Sequence, residues 1–582
     1  MVNSFVVLRD IIENNALTLN DLLSKFEFPA IQELSNSNLI EESKGVVSVT
    51  EEGLAKMKPF KVDNAIIMAA GMGSRFVPYS YYIPKGLIEV NDVPLVERQI
   101  IQFRDAGIEN IYIIVGYMGK QFEYLAKKYD VKIIQNLDFA TKNNISSLYY
   151  ANKEGILGNS YLTPSDIYIE DNVFHQYEYH SWYATKYFEG KVSEWGIECD
   201  DTGLINNVSK SAVNQEAMYG TAFLSKSFTK VLAEKIVDLY EDESFSQWYW
   251  EDVYIKFMNE LRLYSNLSAG ESVLEFECYE ELREFDTSYC KNARNPLLDI
   301  ICKELDCSLS DIHGITPLKV GMTNDSFKFT VKDADYVFRV AGEGTDVLID
   351  RYAEAKSYEA IQHLNISDEI IYFDPKKGIK IAKYIKNAKQ FTEEDIEVMI
   401  GTIRKLHESD IEVEHKFDVN ERIEYYFNLC ESNEAKYYPG LLDHYDKIRE
   451  IRDYVDANHN ELCFCHIDPI VLNFVWSDDK HHLLDWEYSA ISDPYLDLAM
   501  IVLFSYLPVN ETDELLRLYL EEEPNEYQNA LLYAYCSLVG VLWALWTQYK
   551  ETRGETYGTY GIDQFKWSEL YYDEFVKVTK VG

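Results

Sequence analysis

The chain has 582 residues, 47% of them hydrophobic and 26% charged, the balance of a multidomain soluble globular protein and not of a disordered or collagen-like one. Asp and Glu number 98 against 55 Lys and Arg, a formal net charge of -43. A surface that acidic repels nucleic acid and anionic membranes at long range, so neither is an expected partner, and association into a homo-oligomer is left open.

The nine cysteines are scattered and show neither a short disulfide framework nor zinc-finger spacing. The start, MVNSFVVLRDIIENNALT, has no basic n-region, long apolar core or cleavage site, and the reading is a reducing cytoplasm. Residues 531–549 are apolar enough to resemble a span, but Gln548, the tyrosines and the lack of flanking basic clusters predict a buried helix instead.

In chain order, residues 1–60 read as helix, helix, helix and a hairpin turning at Ser43-Lys44-Gly45, the layout of a winged helix-turn-helix-like module. Its five basic residues face nine acidic ones, which suits docking or dimerisation better than DNA. Residues 62–290 alternate strand and helix, with strands at 65–70, 111–116 and 131–136, and predict a doubly wound α/β domain. Residues 295–582 open with a strand-rich stretch at 315–340 and continue mostly helical, predicting a bilobal α+β domain. The fold class is therefore α/β multidomain.

The phrase AAGMGSRFVPYSYYIPKG is the first to carry chemistry. A buried strand delivers the chain to Gly71 and Gly73, where missing Cβ atoms let backbone N–H groups wrap a phosphate. Arg75 and Lys85 add two fixed cations, suited to a triphosphate whose pyrophosphate must leave with its charge neutralised. Phe76 stands where a dinucleotide fingerprint needs its third Gly, and no P-loop Gly-Lys-Ser/Thr follows.

With PKGLIEVNDVPLVERQI, IYIIVGYMGKQFEYLAKKYD and NNISSLYYA, this segment resembles the sugar-nucleotidyltransferase superfamily, and bacterial CTP:phosphocholine cytidylyltransferases in particular. The resemblance implies that Gly71, Met72, Gly73, Arg75 and Lys85 hold the CTP phosphates, with Lys85 assisting pyrophosphate departure. It implies a Mg²⁺ carboxylate at Asp166 and a second one later, for which Asp252 and Glu277 are the candidates. A trimethylammonium headgroup makes no ordinary hydrogen bond, so its recognition calls for aromatic faces; Trp195, Tyr249 and Trp250 fall where the family's choline-binding aromatics are expected, with Tyr219 a further candidate.

The second phrase is CFCHIDPIVLNFVWSDDKHHLLDWEYSAISDPYLDLAM, residues 463–500. His466-Ile-Asp468-x4-Asn473 has kinase catalytic-loop spacing: Asp468 can take the proton of an attacking hydroxyl, and Asn473 and Asp485 can ligate Mg²⁺. D-F-G and A-P-E are absent, which argues against a protein substrate. Residues 295–582 resemble the choline/ethanolamine kinase and aminoglycoside phosphotransferase group. The resemblance implies a phosphate-covering hairpin at 320–325, an ATP-touching Arg339 paired with Glu354, and an adenine hinge at 381–385 centred on Tyr384. It also implies that Trp543 and Trp546, three apart on one helix face, wall a quaternary ammonium, with Glu487 adding charge nearby.

Together these readings predict a bifunctional enzyme that phosphorylates choline with ATP and then transfers CMP from CTP to phosphocholine, with Mg²⁺ at both sites. The alternatives are the same steps on ethanolamine or an aminoalkylphosphonate, or a winged-helix regulator with inert sensor domains.

Overall fold

The structure is a computed structural model that describes residues 2–14, 16–318, 323–342, 344–478, 480–505, 507–555 and 557–579. The chain divides into two compact units, residues 1–317 and 318–582. The segment expected as a separate module at 1–60 lies within the first unit, and so does helix Pro296–Glu304.

The first unit begins with helices Val2–Glu13, Leu19–Lys25 and Phe28–Asn36, a hairpin pairing Ile40–Ser43 with Val46–Val49, and helix Glu51–Met57. Thr18 and Asp21 cap the second helix reciprocally, and Pro29 sits in the first turn of the third. Phe5, Leu8, Ile31 and Leu34 make the small core. Helix Val2–Glu13 is also pinned to the segment at 175–179: Arg9 pairs with Glu178 at 3.3 Å, Glu13 accepts from the Gln176 N–H at 2.9 Å, and Phe5 stands against Tyr179.

The rest of the first unit is built on a nine-stranded sheet. Asn64–Ala69 lies between Ser160–Pro164 and Ile111–Val115, parallel to both, and Lys132–Gln135 follows as a fourth parallel strand. Ala65, Ile67 and Ala69 enter one core and Ile66 the other, so the central strand is apolar on both faces, as helices covering both sides of a parallel sheet require. Ala212–Leu224 continues the sheet antiparallel to Ser160–Pro164. The Gly-rich turn after Ala69 and the turn holding Asp166 both leave the carboxyl ends of neighbouring parallel strands, where open α/β sheets place their ligands.

In the second unit antiparallel pairing runs from Asn324–Val331 to Ala334–Ala341, on to Ile379–Lys383, and then to Ile370–Asp374. Most of the rest is helical. Glu526–Thr552, started by an Asn525–Gln528 capping box, is the one helix among the described residues long and apolar enough to cross a membrane. It is buried over the whole of its apolar window, in a core shared with helices Pro494–Phe504 and Tyr560–Thr579. Two short antiparallel pairs, Cys463–Cys465 with Ala490–Ser492 and Phe474–Ser477 with Lys480–Leu483, hold the loop of residues 466–473 between them.

Candidate active sites

The first site is a cavity of about 350 Å³ lined by Gly71, Gly73, Arg75, Lys85, Asp166, Tyr249 and Glu277 among others. Gly73 has φ +60°, the left-handed conformation that favours glycine, and a Cβ there would stand a tight 3.3 Å from Lys85 Cβ. Gly86 does similar work one step after the lysine. A Cβ on it would meet Ser165 and Val96 at 2.8 Å, so its absence lets the Pro84-Lys85-Gly86 turn close onto the strand end. Lys85 Nζ thereby donates to Asp166 Oδ2 at 3.0 Å and lies 3.6 Å from Glu275 Oε1.

Burial alone would lower the Lys85 pKa, but Asp166 and then Glu275 outweigh it, and the ammonium is held above its ordinary value. Glu275 is pushed up to about 7, first by burial and then by Asp166. It sits opposite Ile167 where Val273–Glu275 pairs with Ile167–Ile169, and its N–H donates to Tyr219 Oη at 2.8 Å. Tyr219 thus seats a carboxylate and is absent from the cavity lining. Glu277 pairs with Arg75. Asp166 and Glu277 line the cavity, and Glu275 meets Lys85 beside it; these carboxylates are oxygen donors of the kind a hard divalent cation takes. Glu275 was not singled out in the sequence, although Glu275 and Glu277, two apart in LEFE, share strand-like spacing.

Besides Tyr219, Asp252, Trp250 and Trp195 are absent from the lining. Asp252 accepts from the Tyr249 N–H at 2.9 Å, pairs with Lys210 at 2.6 Å and is absent from the cavity lining, so its oxygens serve a helix start. Trp250 is 1% exposed and stacked on Tyr183 in the core, so its ring does not reach the cavity. Trp195 and Tyr249 do meet, edge to face at 5.8 Å. Met72 is half exposed beside the turn. Asn143, Asn144, Ser146 and Ser147, from the start of helix Ile145–Lys153, complete the far wall.

The second site gathers around Asp468. Asn473 Nδ2 donates to Asp468 O at 2.8 Å and to its Oδ2 at 3.1 Å. Asp468 is driven well above the carboxylate range by burial, then by Asp485 and Glu487. Asp485, at φ +63°, is pushed up to about 7 by burial and then Glu487, with Arg339 4.0 Å away. Asp485 and the Asn473 side chain are oxygen donors of the kind a hard cation takes.

Arg339 makes a two-pronged contact with Glu354, as expected, and Glu354 in turn accepts from Arg351 at 2.9 Å. Burial would raise Glu354; Arg339 and Arg351 hold it down to about 2. Glu487 is committed to the same buried network: it accepts from Arg351 at 3.0 Å, Asn324 at 2.8 Å and Thr323 at 2.7 Å. Its oxygens are taken up by these donors, which corrects the expectation that they face a bound cation. Of the hairpin expected at 320–325, residues 320–322 lie outside the described residues.

The Tyr384 N–H is taken by Asp335 O at 2.9 Å and its ring carries Lys328 Nζ at 4.7 Å, so this N–H is not open to adenine. Trp543 and Trp546 meet at 5.8 Å, with Tyr488 edge-on to the first and Tyr557 against the second. Asp497, from the D-P-x-x-D-L-A phrase, accepts from the N–H of His466 at 2.9 Å and of Ile467 at 2.6 Å. It clamps the loop that presents Asp468, a role no spacing revealed.

Residues 315–569 match the family model described as Choline/ethanolamine kinase, and residues 65–168 match that of the MobA-like NTP transferase domain. A 2-aminoethylphosphonate cytidylyltransferase of Lancefieldella rimae is 35% identical over 39% of this chain and 93% of its own length. A choline-phosphate cytidylyltransferase of Streptococcus pneumoniae is 32% identical over 38% of this chain and 96% of its own length. The crystal structure of a choline kinase from Streptococcus pneumoniae covers 48% of this chain and all of that one, at 26% identity and a TM-score of 0.42.

Proposed function

Because the chain belongs to the cytidylyltransferase family that includes the choline-phosphate and 2-aminoethylphosphonate enzymes, and carries a choline/ethanolamine kinase domain, we propose that it makes CDP-choline in two steps. Its second unit phosphorylates choline with ATP, and its first transfers CMP from CTP to the phosphocholine, releasing pyrophosphate.

The observation that carries this reading is the kinase domain itself. A kinase acting on an alcohol makes a phosphate ester, whereas a phosphonate keeps a C–P bond that no phosphoryl transfer to oxygen creates. A chain holding both activities therefore points to the phosphate-ester substrate of one relative and away from the phosphonate of the other.

In the kinase step Asp468, oriented by Asn473 and held in place through Asp497, takes the hydroxyl proton of choline. Arg339, fixed by Glu354, faces the ATP phosphates. Asn473 and Asp485 would hold Mg²⁺ there, and Asp166, Glu275 and Glu277 would hold it in the first unit. In both places the ion supplies charge neutralisation of the phosphates. In the transferase step the backbone at Gly71 and Gly73 cradles the triphosphate, and Lys85 and Arg75 balance the charge of the departing pyrophosphate. To the trimethylammonium group we assign the Trp543–Trp546 pair in the second unit and Tyr249, with Trp195 against it, in the first.

Residues 2–57 have the element order of a winged helix-turn-helix, and we read them as a docked scaffold. Over residues 1–60 five basic residues are outnumbered by nine acidic ones, and Lys25 of the second helix is paired with Asp10 at 3.0 Å, a balance unlike that of a DNA-binding face. Turnover of choline against ethanolamine, and of phosphocholine against 2-aminoethylphosphonate, tests the substrate. Choline and phosphocholine should each win by at least about tenfold, about 1.4 kcal/mol of cation–π discrimination. Preference for the primary amines would overturn the reading.

A further inference from the structure

Three residues of the second unit stand together without a part in the proposed phosphotransfer. His407 ends helix Ile396–His407, and Cys463 and Cys465 alternate on one strand and so share a face. Their ligand atoms all lie within 4.8 Å of one another. The two Sγ atoms are 3.7 Å apart. Thiolates bound to one tetrahedral zinc at ~2.3 Å each are separated by roughly 3.8 Å, so these donors need little movement to share an ion. Cys465 and His407 are buried while Cys463 is half-buried, which gives an ion a way in.

We infer that His407, Cys463 and Cys465 form a site for a thiophilic divalent cation of the zinc class, and that filling it slows phosphotransfer. The second half of this inference rests on the role proposed for Asp468. Asp497 links the two places: its Oδ2 lies 3.0 Å from His407 Nε2 and accepts from the His466 N–H at 2.9 Å, and its Oδ1 accepts from the Ile467 N–H at 2.6 Å. His407 Nδ1 meets Tyr519 Oη at 2.9 Å, so a dication taken on Nδ1 displaces that contact and draws the Asp497 carboxylate toward the ring, loosening the loop just ahead of Asp468. Binding converts two thiols to thiolates and releases two protons. Soft sulfur donors favour zinc or cadmium over Mg²⁺, so the Mg²⁺ that serves the reaction leaves the site empty.

The test titrates the full chain with Cd²⁺ alone, in excess Mg²⁺ and without added thiol. A thiolate-to-metal ultraviolet band should saturate at one equivalent at this site while the choline phosphorylation rate falls about fivefold, about 1 kcal/mol. CMP transfer to supplied phosphocholine should keep its rate. Cys463→Ser and Cys463→Ser/Cys465→Ser should lose the band, and each should show the same kinase rate with and without metal. Cys302→Ser, in the first unit, should behave as the parent. No band in the parent, a band that survives the double substitution, two thiols lost without bound metal, or saturation with an unchanged kinase rate would each overturn the inference. A parent that never phosphorylates choline sinks the functional reading instead, because the band still reports on the site.

Discussion

Lys85 donates to Asp166 across 3.0 Å, joining the turn after the glycines to the turn at the next strand's end. One residue thus touches both the phosphate cradle and the carboxylate set. Lys85→Met should lower CMP transfer by about 100-fold, roughly 3 kcal/mol of lost charge stabilisation, and leave choline phosphorylation intact. Separate assays of the two half-reactions check this, and an equal loss in both would contradict separate sites.

The aromatic pairs should act on the headgroup and not on the nucleotide. Trp546→Ala should raise KM for choline up to about 30-fold, roughly 2 kcal/mol for a desolvated cation–π contact, with a much smaller change for ATP. Trp195→Ala should do the same for phosphocholine against CTP. A change in nucleotide KM alone would remove these rings from the headgroup sites.

The Arg339–Glu354 pair is buried, with side chains 6% and 0% exposed. Arg339→Met strips Glu354 of its two-pronged partner and should cost the second unit about 3 kcal/mol of stability. Arg339→Met/Glu354→Leu should cost much less, because no carboxylate is left stranded. Denaturant unfolding of the three proteins measures the difference.

Acid should weaken the second unit through two buried histidines. Burial lowers His466 and His444 to about 4 from an ordinary value of 6.5. Between those values the unfolded chain binds more protons than the folded one, so their contribution is present above 6.5 and is lost as pH falls toward 4. Thermal unfolding should shift downward from pH 7 to pH 5, and less steeply in His444→Gln. An equal slope in that variant would discharge His444 from the effect.

The phosphate turn, Lys85, Asp166, Asp468, Asn473 and Asp485 were legible because each sits in a phrase whose spacing is tied to backbone geometry. Gly73 must turn at positive φ, and Asp468 must lie five residues before Asn473 for the loop to close on itself. Side-chain direction was not legible. Trp250 and Tyr249 are neighbours in sequence, yet one ring is core and the other lines the cavity. Asp252 and Glu487 are carboxylates whose oxygens local partners, Lys210 and Arg351, already occupy. Glu275 and Asp497 act through contacts far along the chain, which spacing does not encode.

Following methyl-labelled choline through the full chain with ATP, CTP and Mg²⁺ tests the two-step reading most directly. Label should pass into phosphocholine and then CDP-choline, stop at phosphocholine when CTP is withheld, and stay in choline when ATP is withheld. Asp468→Asn and Lys85→Met proteins, each unable to complete the sequence, should complete it when mixed. Label reaching the cytidine product without ATP, or failing to leave choline with both nucleotides present, would contradict it.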